Sequence, residues 1–102
     1  MRHHAYALKQ SKHRDRPYVV DLQNNLLSDL CTRLVAPLHR LTSVNANEII
    51  DELMPILSIG GEDFVLFTQE AAAYPVKGLA HAVADLTSQS SRLTNALDRL
   101  LG

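Results

Sequence analysis

The sequence predicts a small α+β domain that is mostly β-structure, with strands followed by one C-terminal helix. Two observations lead to this prediction. Short runs of β-branched and aromatic residues are separated by turn residues, as is typical of strands. Leucine and alanine recur at helical spacing near the C-terminus. Because 102 residues supply one modest core, we expect residues 1–102 to form a single domain.

The first two predicted strands lie on either side of a basic loop. Residues 5–9 alternate loosely between apolar and polar side chains, and residues 10–16 are polar and basic. Pro17 then precedes residues 18–22, which read Tyr-Val-Val-Asp-Leu and give the strongest strand pattern in the chain. We therefore expect a strand, a loop and a second strand in that order.

A third strand is expected over residues 30–38. Asn24 and Asn25 precede it, and asparagine tolerates the left-handed backbone conformation of a turn. We expect Pro37 to close the strand. Cys31 would lie within the strand as a small buried apolar residue.

The pattern of the segment before Pro55 leaves two structures open. Asn45 or Asn47 could cap a short helix over residues 48–53, which Pro55 would end. The alternative is an irregular connection without a helix. The residue pattern alone does not choose between them.

A hairpin with a glycine turn is expected next. Residues 56–59 and 64–68 are rich in β-branched and aromatic residues, and the glycines at 60–61 suit the tight turn between them. Residues 71–85 alternate small residues with turn residues, so within them only Val76 favours a strand.

The C-terminal segment is the clearest helix. One apolar stripe with the spacing i, i+3, i+4, i+7 and i+8 is formed by Leu93, Ala96, Leu97, Leu100 and Leu101. We expect Thr87 or Ser88 to cap this helix. The stripe is wide enough to contact both a core and a partner.

Composition argues against several classes of function. Ten Lys and Arg against eleven Asp and Glu residues give a net charge of −1, so no overall positive field draws nucleic acid to the molecule. Five histidines and one cysteine show no metal-ligand spacing, so we expect surface histidines and neither metal nor cofactor. No motif assembles a catalytic site, so we expect no enzyme. No apolar run approaches the ~20 residues of a membrane span, which predicts a cytoplasmic protein.

Short motifs follow one another in a fixed order along the chain. Residues 18–23 read Tyr-Val-Val-Asp-Leu-Gln, residues 32–38 read Thr-Arg-Leu-Val-Ala-Pro-Leu, and residues 73–76 read Ala-Tyr-Pro-Val. The other motifs occupy residues 26–27, 53–56, 60–61, 64–68, 83–87 and 95–98. In this order and spacing, from Tyr6 to Leu101, the chain resembles the CcdB family, bacterial toxins of type II toxin–antitoxin systems that poison DNA gyrase.

The resemblance implies an SH3-like barrel of antiparallel strands, of the CcdB and MazF type, with a small extra sheet and a C-terminal helix. It implies no helix over residues 48–53. It also implies a homodimer whose C-terminal helices lie near the twofold axis. We accordingly expect Leu93 and Leu97 in the core, with Leu100 and Leu101 at the dimer interface.

The resemblance also implies two partners. The gyrase A subunit, trapped in its cleavage complex, would contact a turn and the end of the helix, at Asn24, Asn25, Leu26, Leu27, Asp98, Leu101 and Gly102. A CcdA-like antitoxin with an acidic tail would contact the basic loop, at Lys12, His13, Arg14 and Arg16. The protein would bind nucleic acid only as part of its complex with the antitoxin, and this complex would regulate its own transcription. Strong poisons of the family end in Trp-Gly-Ile, whereas this sequence contains no tryptophan, so we expect weaker poisoning.

Two alternative functions share the expected fold. MazF-type endoribonuclease toxins have the same barrel, and Arg14, Arg33, His39 and Asp21 could be recruited for RNA cleavage. A protein of the CcdB fold could instead bind antitoxin and lack gyrase poisoning. Assays of supercoiling and of RNA cleavage distinguish the three functions.

Overall fold

The computed structural model describes residues 2–9, 16–23 and 31–102. Its seven antiparallel strands form one sheet, curled into a half-barrel, and one α-helix follows them. The strands are β1 (His4–Leu8), β2 (Tyr18–Asp21), β3 (Thr32–Arg40), β4 (Ile56–Ile59), β5 (Glu62–Leu66), β6 (Ala72–Pro75) and β7 (Leu79–Asp85). The helix is α1 (Ser90–Leu101). The predicted α+β, mostly-β fold is confirmed.

The strand order in the sheet is β4-β5-β3-β2-β1-β7, and β6 pairs separately with β3. The hairpin of β4 and β5 turns at Gly60 and Gly61, whose φ angles of 61° and 83° lie in the left-handed region that glycine adopts without strain. This hairpin is hydrogen-bonded to the end of β3, so it is continuous with the main sheet.

Strand β3 does not end at Pro37, and that prediction is wrong. The first part of β3 pairs with β6 as far as Val35, and its last part pairs with β5 from Leu38. Pro37 lies between the two partners, where no strand needs its missing N–H, and its carbonyl accepts a hydrogen bond from the Phe67 N–H at 3.0 Å. Cys31, expected within the strand and buried, precedes it and is exposed.

Within residues 71–85, the sequence favoured a strand only at Val76. The structure instead forms two strands there, β6 and β7. Val76 itself lies in the 3-10 helix Val76–Gly78 that joins them. Their alanine-rich sequences have little intrinsic preference for strands, but they pair along β3 and β1. Neighbouring strands therefore decide the conformation of this segment.

The short helix over residues 48–53 does not form, as the resemblance implied. In its place is the 3-10 helix Ala46–Glu48, and the Asn45 side chain accepts a hydrogen bond from the Asn47 N–H at 3.0 Å. Asn45 therefore caps a single turn.

Helix α1 packs its first half into the core. The main core cluster consists of Ala5, Val20, Leu22, Ala36, Leu38, Leu57, Phe64, Leu66, Leu86 and Leu93. Leu93 and Ala96 are fully buried and Leu97 is half-buried. The expected Thr87 or Ser88 cap is wrong, because Gln89 precedes α1 without a capping side-chain bond. Thr87 instead begins the 3-10 helix Thr87–Gln89, and its N–H and hydroxyl donate to Asp85 Oδ1. In the described part of the chain no helix is both long and apolar enough to cross a bilayer.

Candidate functional site

A buried polar network holds the chain on both sides of residues 24–30. It starts at Asp21, which ends β2 and is fully buried in the sheet. Arg33 near the start of β3 donates from Nε to Asp21 Oδ2 at 2.8 Å, and the Gln23 N–H donates to Asp21 Oδ1 at 2.9 Å. Burial raises the pKa of the adjacent Tyr6 hydroxyl, and the Asp21 carboxylate raises it further.

Gln23, two residues after Asp21, completes this network. Its side-chain oxygen accepts a hydrogen bond from the Leu34 N–H at 2.8 Å, and Arg33 Nη2 lies 3.4 Å from its carbonyl oxygen. The Asp and Gln of the motif over residues 18–23 thus cross-link β2 to β3. We call Asp21, Gln23 and Arg33 the polar base, because they fix both flanks of residues 24–30.

His3 ties the polar base to the start of α1. Its N–H donates to the Asp21 carbonyl at 2.6 Å, its carbonyl accepts from the Leu86 N–H at 2.8 Å, and its Nδ1 lies 2.7 Å from the Ser90 hydroxyl oxygen. His3 is buried, which corrects the expectation that the histidines lie at the surface. Burial lowers the pKa of its imidazole, and the Arg2 charge lowers it further, against a raising effect of Asp21.

The far end of α1 is exposed and apolar. Leu100 is 39% exposed and Leu101 is 76% exposed, whereas Leu93 is fully buried on the same helix. Asp98 is exposed in the last turn, where a negative charge is unfavourable next to the carbonyl end of the helix dipole. Neither the exposed leucines nor this carboxylate contributes to the core, so this helix end is available to a partner.

The described residues include only part of the sites expected from the sequence. Asp98, Leu101 and Gly102 lie together at the end of α1, and all three are exposed. Arg16 is half-buried and lies just before Pro17 and β2. The expected gyrase contacts Asn24, Asn25, Leu26 and Leu27 and the expected antitoxin contacts Lys12, His13 and Arg14 lie outside the described residues.

The residues named for RNA cleavage do not form a site among the described residues. Asp21 and Arg33 bind each other inside the sheet, and both are buried. His39 stacks on Phe67 with ring centroids 3.8 Å apart, and its Nε2 lies 3.4 Å from Glu70. Arg14 lies outside the described residues. Within residues 2–9, 16–23 and 31–102, no cluster of three or more His, Cys, Asp or Glu could hold a metal ion.

The polar base was missed in the sequence analysis, although a signal for it exists. Asp21 and Gln23 flank Leu22 in the strongest strand pattern of the chain, and a carboxylate inside such a strand requires a buried cation or donor. Arg33, in the motif over residues 32–38, is the cation that such a buried carboxylate requires. No comparable feature of the sequence indicated that His3 would be buried beside the polar base.

The family model described as "CcdB protein" matches residues 2–102 of this chain. A match over nearly the whole chain defines the class of protein, a toxin of a toxin–antitoxin system. The chain belongs to the CcdB family. That family consists of gyrase poisons rather than catalytic enzymes, and its general partners are an antitoxin and gyrase.

Proposed function

We propose that this protein inhibits DNA gyrase by binding the A subunit and trapping the cleavage complex, without catalysing a reaction. The observation that supports this proposal best is the exposed end of α1, where Leu101 is 76% exposed beside Asp98 on a helix otherwise anchored in the core. An exposed apolar residue with an adjacent charge is suited to a protein contact that needs both burial and specificity.

The second part of the proposed gyrase surface is the turn at Asn24, Asn25, Leu26 and Leu27. The polar base links the described residues on either side of this proposed contact through hydrogen bonds between Asp21 and Arg33 and between Gln23 and Leu34. The base itself is buried and takes no direct part in the contact.

We further propose that two copies associate through Leu100 and Leu101 near a twofold axis. Two such patches form an isologous contact, in which the same apolar surface is contributed by both subunits. The dimer would then present two helix ends to gyrase. Because Leu101 is shared by both proposed contacts, Asp98 is the residue that separates gyrase binding from dimerisation.

The proposed antitoxin contact is the basic loop with Lys12, His13, Arg14 and Arg16. An acidic, extended tail of a CcdA-like antitoxin would be attracted to it by charge, and the complex would regulate its own transcription in the bacterial cytoplasm. Replacing Arg14 and Arg16 with Glu should slow association and flatten its dependence on salt. Stopped-flow binding at low salt tests this, and an unchanged association rate would exclude the loop.

The experiment that tests the proposed function combines three measurements on purified protein. Gyrase supercoiling and cleavage-complex formation are measured with increasing protein, and RNA cleavage is measured in parallel. We expect trapped cleavage complexes and intact RNA. The yield of cleavage complexes should be smaller than the yield that a tryptophan-ended relative gives. RNA cleavage would support the endoribonuclease alternative. Antitoxin binding without either activity would support a protein that has lost poisoning.

A further inference from the structure

Strand β4 has an open hydrogen-bonding edge. Among the described strands it is the outermost of the sheet, and β5 is the only one with which it pairs. The Leu66 N–H donates to the Pro55 carbonyl at 3.0 Å, and the register then makes Leu57 and Ile59 the β4 residues that bond to β5. The N–H and C=O groups of Ile56 and Ser58 therefore point away from β5.

No residue in the described part of the chain pairs with this edge. Within residues 2–9, 16–23 and 31–102, no strand lies beside β4 on that side, and the outward backbone groups of Ile56 and Ser58 bond to no other described residue. Folded proteins commonly protect such edges with lysine, proline or a bulge. Strand β4 reads Ile-Leu-Ser-Ile and has none of these.

A groove runs along the open edge. It consists of two adjoining cavities of about 400 Å³ each, which share Ile56 and Arg92 in their walls. One lies beside residues 49–55 and the α1 residue Asn95. The other lies between β4 and residues 83–86 at the end of β7, the opposite outermost strand. Four β4 residues at about 3.3 Å each give an edge of roughly 13 Å, enough to pair with a short strand.

The side chains around the groove define what it would bind. Its floor is apolar, with Met54, Leu57 and Leu86 buried beneath it, and Ile56 is 38% exposed at its centre. Its charged residues are Asp51, Glu52, Asp63, Asp85 and Arg92, so carboxylates outnumber the single cation. Exposed carboxylates favour basic residues in a partner, and the apolar floor favours apolar ones.

We propose that this groove binds an extended segment of a partner protein, with alternating apolar and basic residues, as an added strand beside β4. The outward groups of Ile56 and Ser58 would pair with its backbone. Its apolar residues would pack near Ile56, and its basic residues would face the carboxylates. Such strand addition takes affinity from the main chain and specificity from alternate side chains.

This site is separate from the contacts proposed for gyrase and antitoxin. The gyrase surface includes the end of α1, whereas the groove meets α1 at Arg92 and Asn95 in its first half. The antitoxin contact is basic and would take an acidic tail, the opposite charge preference. The groove can therefore be tested whether or not the protein poisons gyrase.

The test uses the full chain labelled with ¹⁵N and the capped hexapeptide Lys-Val-Lys-Val-Lys-Val as probe. Amide hydrogen exchange is measured with and without millimolar peptide. We expect exchange at the Ile56 and Ser58 amides to slow at least tenfold, while the Leu57 amide, already bonded to β5, changes little. Unchanged exchange at Ile56 and Ser58 would overturn the proposal.

Two controls isolate the backbone pairing and the charge preference. The same peptide with an N-methyl group on every residue cannot donate hydrogen bonds along either edge, and a Glu-Val repeat reverses its charge. Both should lose the protection. In the protein, Ser58→Pro removes one outward N–H at an edge position that tolerates proline, whereas Ser58→Ala keeps it. Equal binding of the methylated peptide, or equal binding by both Ser58 variants, would contradict strand addition.

Discussion

The polar base and the exposed end of α1 reverse the usual placement of side chains. At the base, the charged pair of Asp21 and Arg33 is buried within the sheet. At the helix end, Leu101 is left 76% exposed. The buried charges stabilise the fold only while each keeps its partner, and the exposed leucine contributes almost nothing to it. The comparison teaches that the first region holds β2 to β3 inside the fold, whereas the second leaves an apolar surface exposed.

The largest effect is expected from breaking the polar base. Arg33→Met leaves the Asp21 carboxylate buried without its cation, which should lower the free energy of unfolding by about 3–5 kcal/mol. Urea denaturation measures the loss. The matched control is Arg40→Met on the same strand, where the arginine pairs with Glu62 at the surface, and it should cost no more than about 1 kcal/mol. Equal losses would contradict the assignment of stability to the buried pair.

The two ends of α1 should differ almost as much. Leu93→Ala removes a fully buried side chain and should cost about 2–5 kcal/mol of unfolding free energy. Leu101→Ala removes an exposed one and should change that free energy by less than about 0.5 kcal/mol in the monomer. Thermal or urea unfolding at low protein concentration compares them. A similar loss in both variants would mean that the helix end is part of the core.

The next prediction concerns dimerisation through the exposed end of α1. Leu101→Lys places a charge in the proposed twofold contact and should weaken association at least roughly tenfold, an effect of about 1.4 kcal/mol. Sedimentation at micromolar protein measures the dimer fraction, with Val76→Lys as a control for adding a lysine at another exposed apolar residue. A wild-type protein that is monomeric under these conditions would exclude the proposed dimer.

A smaller effect concerns pH and the contact between His3 and Ser90. The pKa of His3 is lowered from its ordinary 6.5 in the folded state, so the unfolded chain takes up the proton first as pH falls. This contribution to stability is complete above about pH 6.5 and is lost below it. His3→Asn tolerates the φ of 63° but does not titrate there. Between pH 7 and pH 5, the free energy of unfolding should therefore fall more for the wild type than for the variant, as measured by urea denaturation. Parallel plots of this free energy against pH would contradict the prediction.

The sequence predicted those parts of the fold that local pattern controls. Residues 18–22, the glycine turn at 60–61 and the stripe on α1 all form as expected. Strands β6 and β7 could not be predicted because their alanines acquire strand structure from β3 and β1. Pro37 lies within β3 because the pairing partner of β3 changes there from β6 to β5. This could not be predicted, because local sequence does not show which strands pair.

The candidate site was predictable to a smaller extent. Helical periodicity identified Leu100 and Leu101, although it could not tell which members of the stripe would stay exposed. The gyrase-binding role of residues 24–27 came from the family resemblance, and these residues lie outside the described ones. His3 could not be predicted, because its role depends on Asp21, Leu86 and Ser90 meeting in space.

The most direct test of the account measures how tightly the gyrase A subunit binds two charge-reversed variants. Asp98→Arg and Asp63→Arg change net charge equally at exposed residues, and neither lies in the proposed dimer contact. An arginine in the last turn also suits the helix dipole, so α1 should stay intact. We predict that Asp98→Arg raises the Kd at least roughly tenfold while Asp63→Arg stays within about twofold of wild type. Equal Kd values for the two variants would contradict gyrase binding by the end of α1.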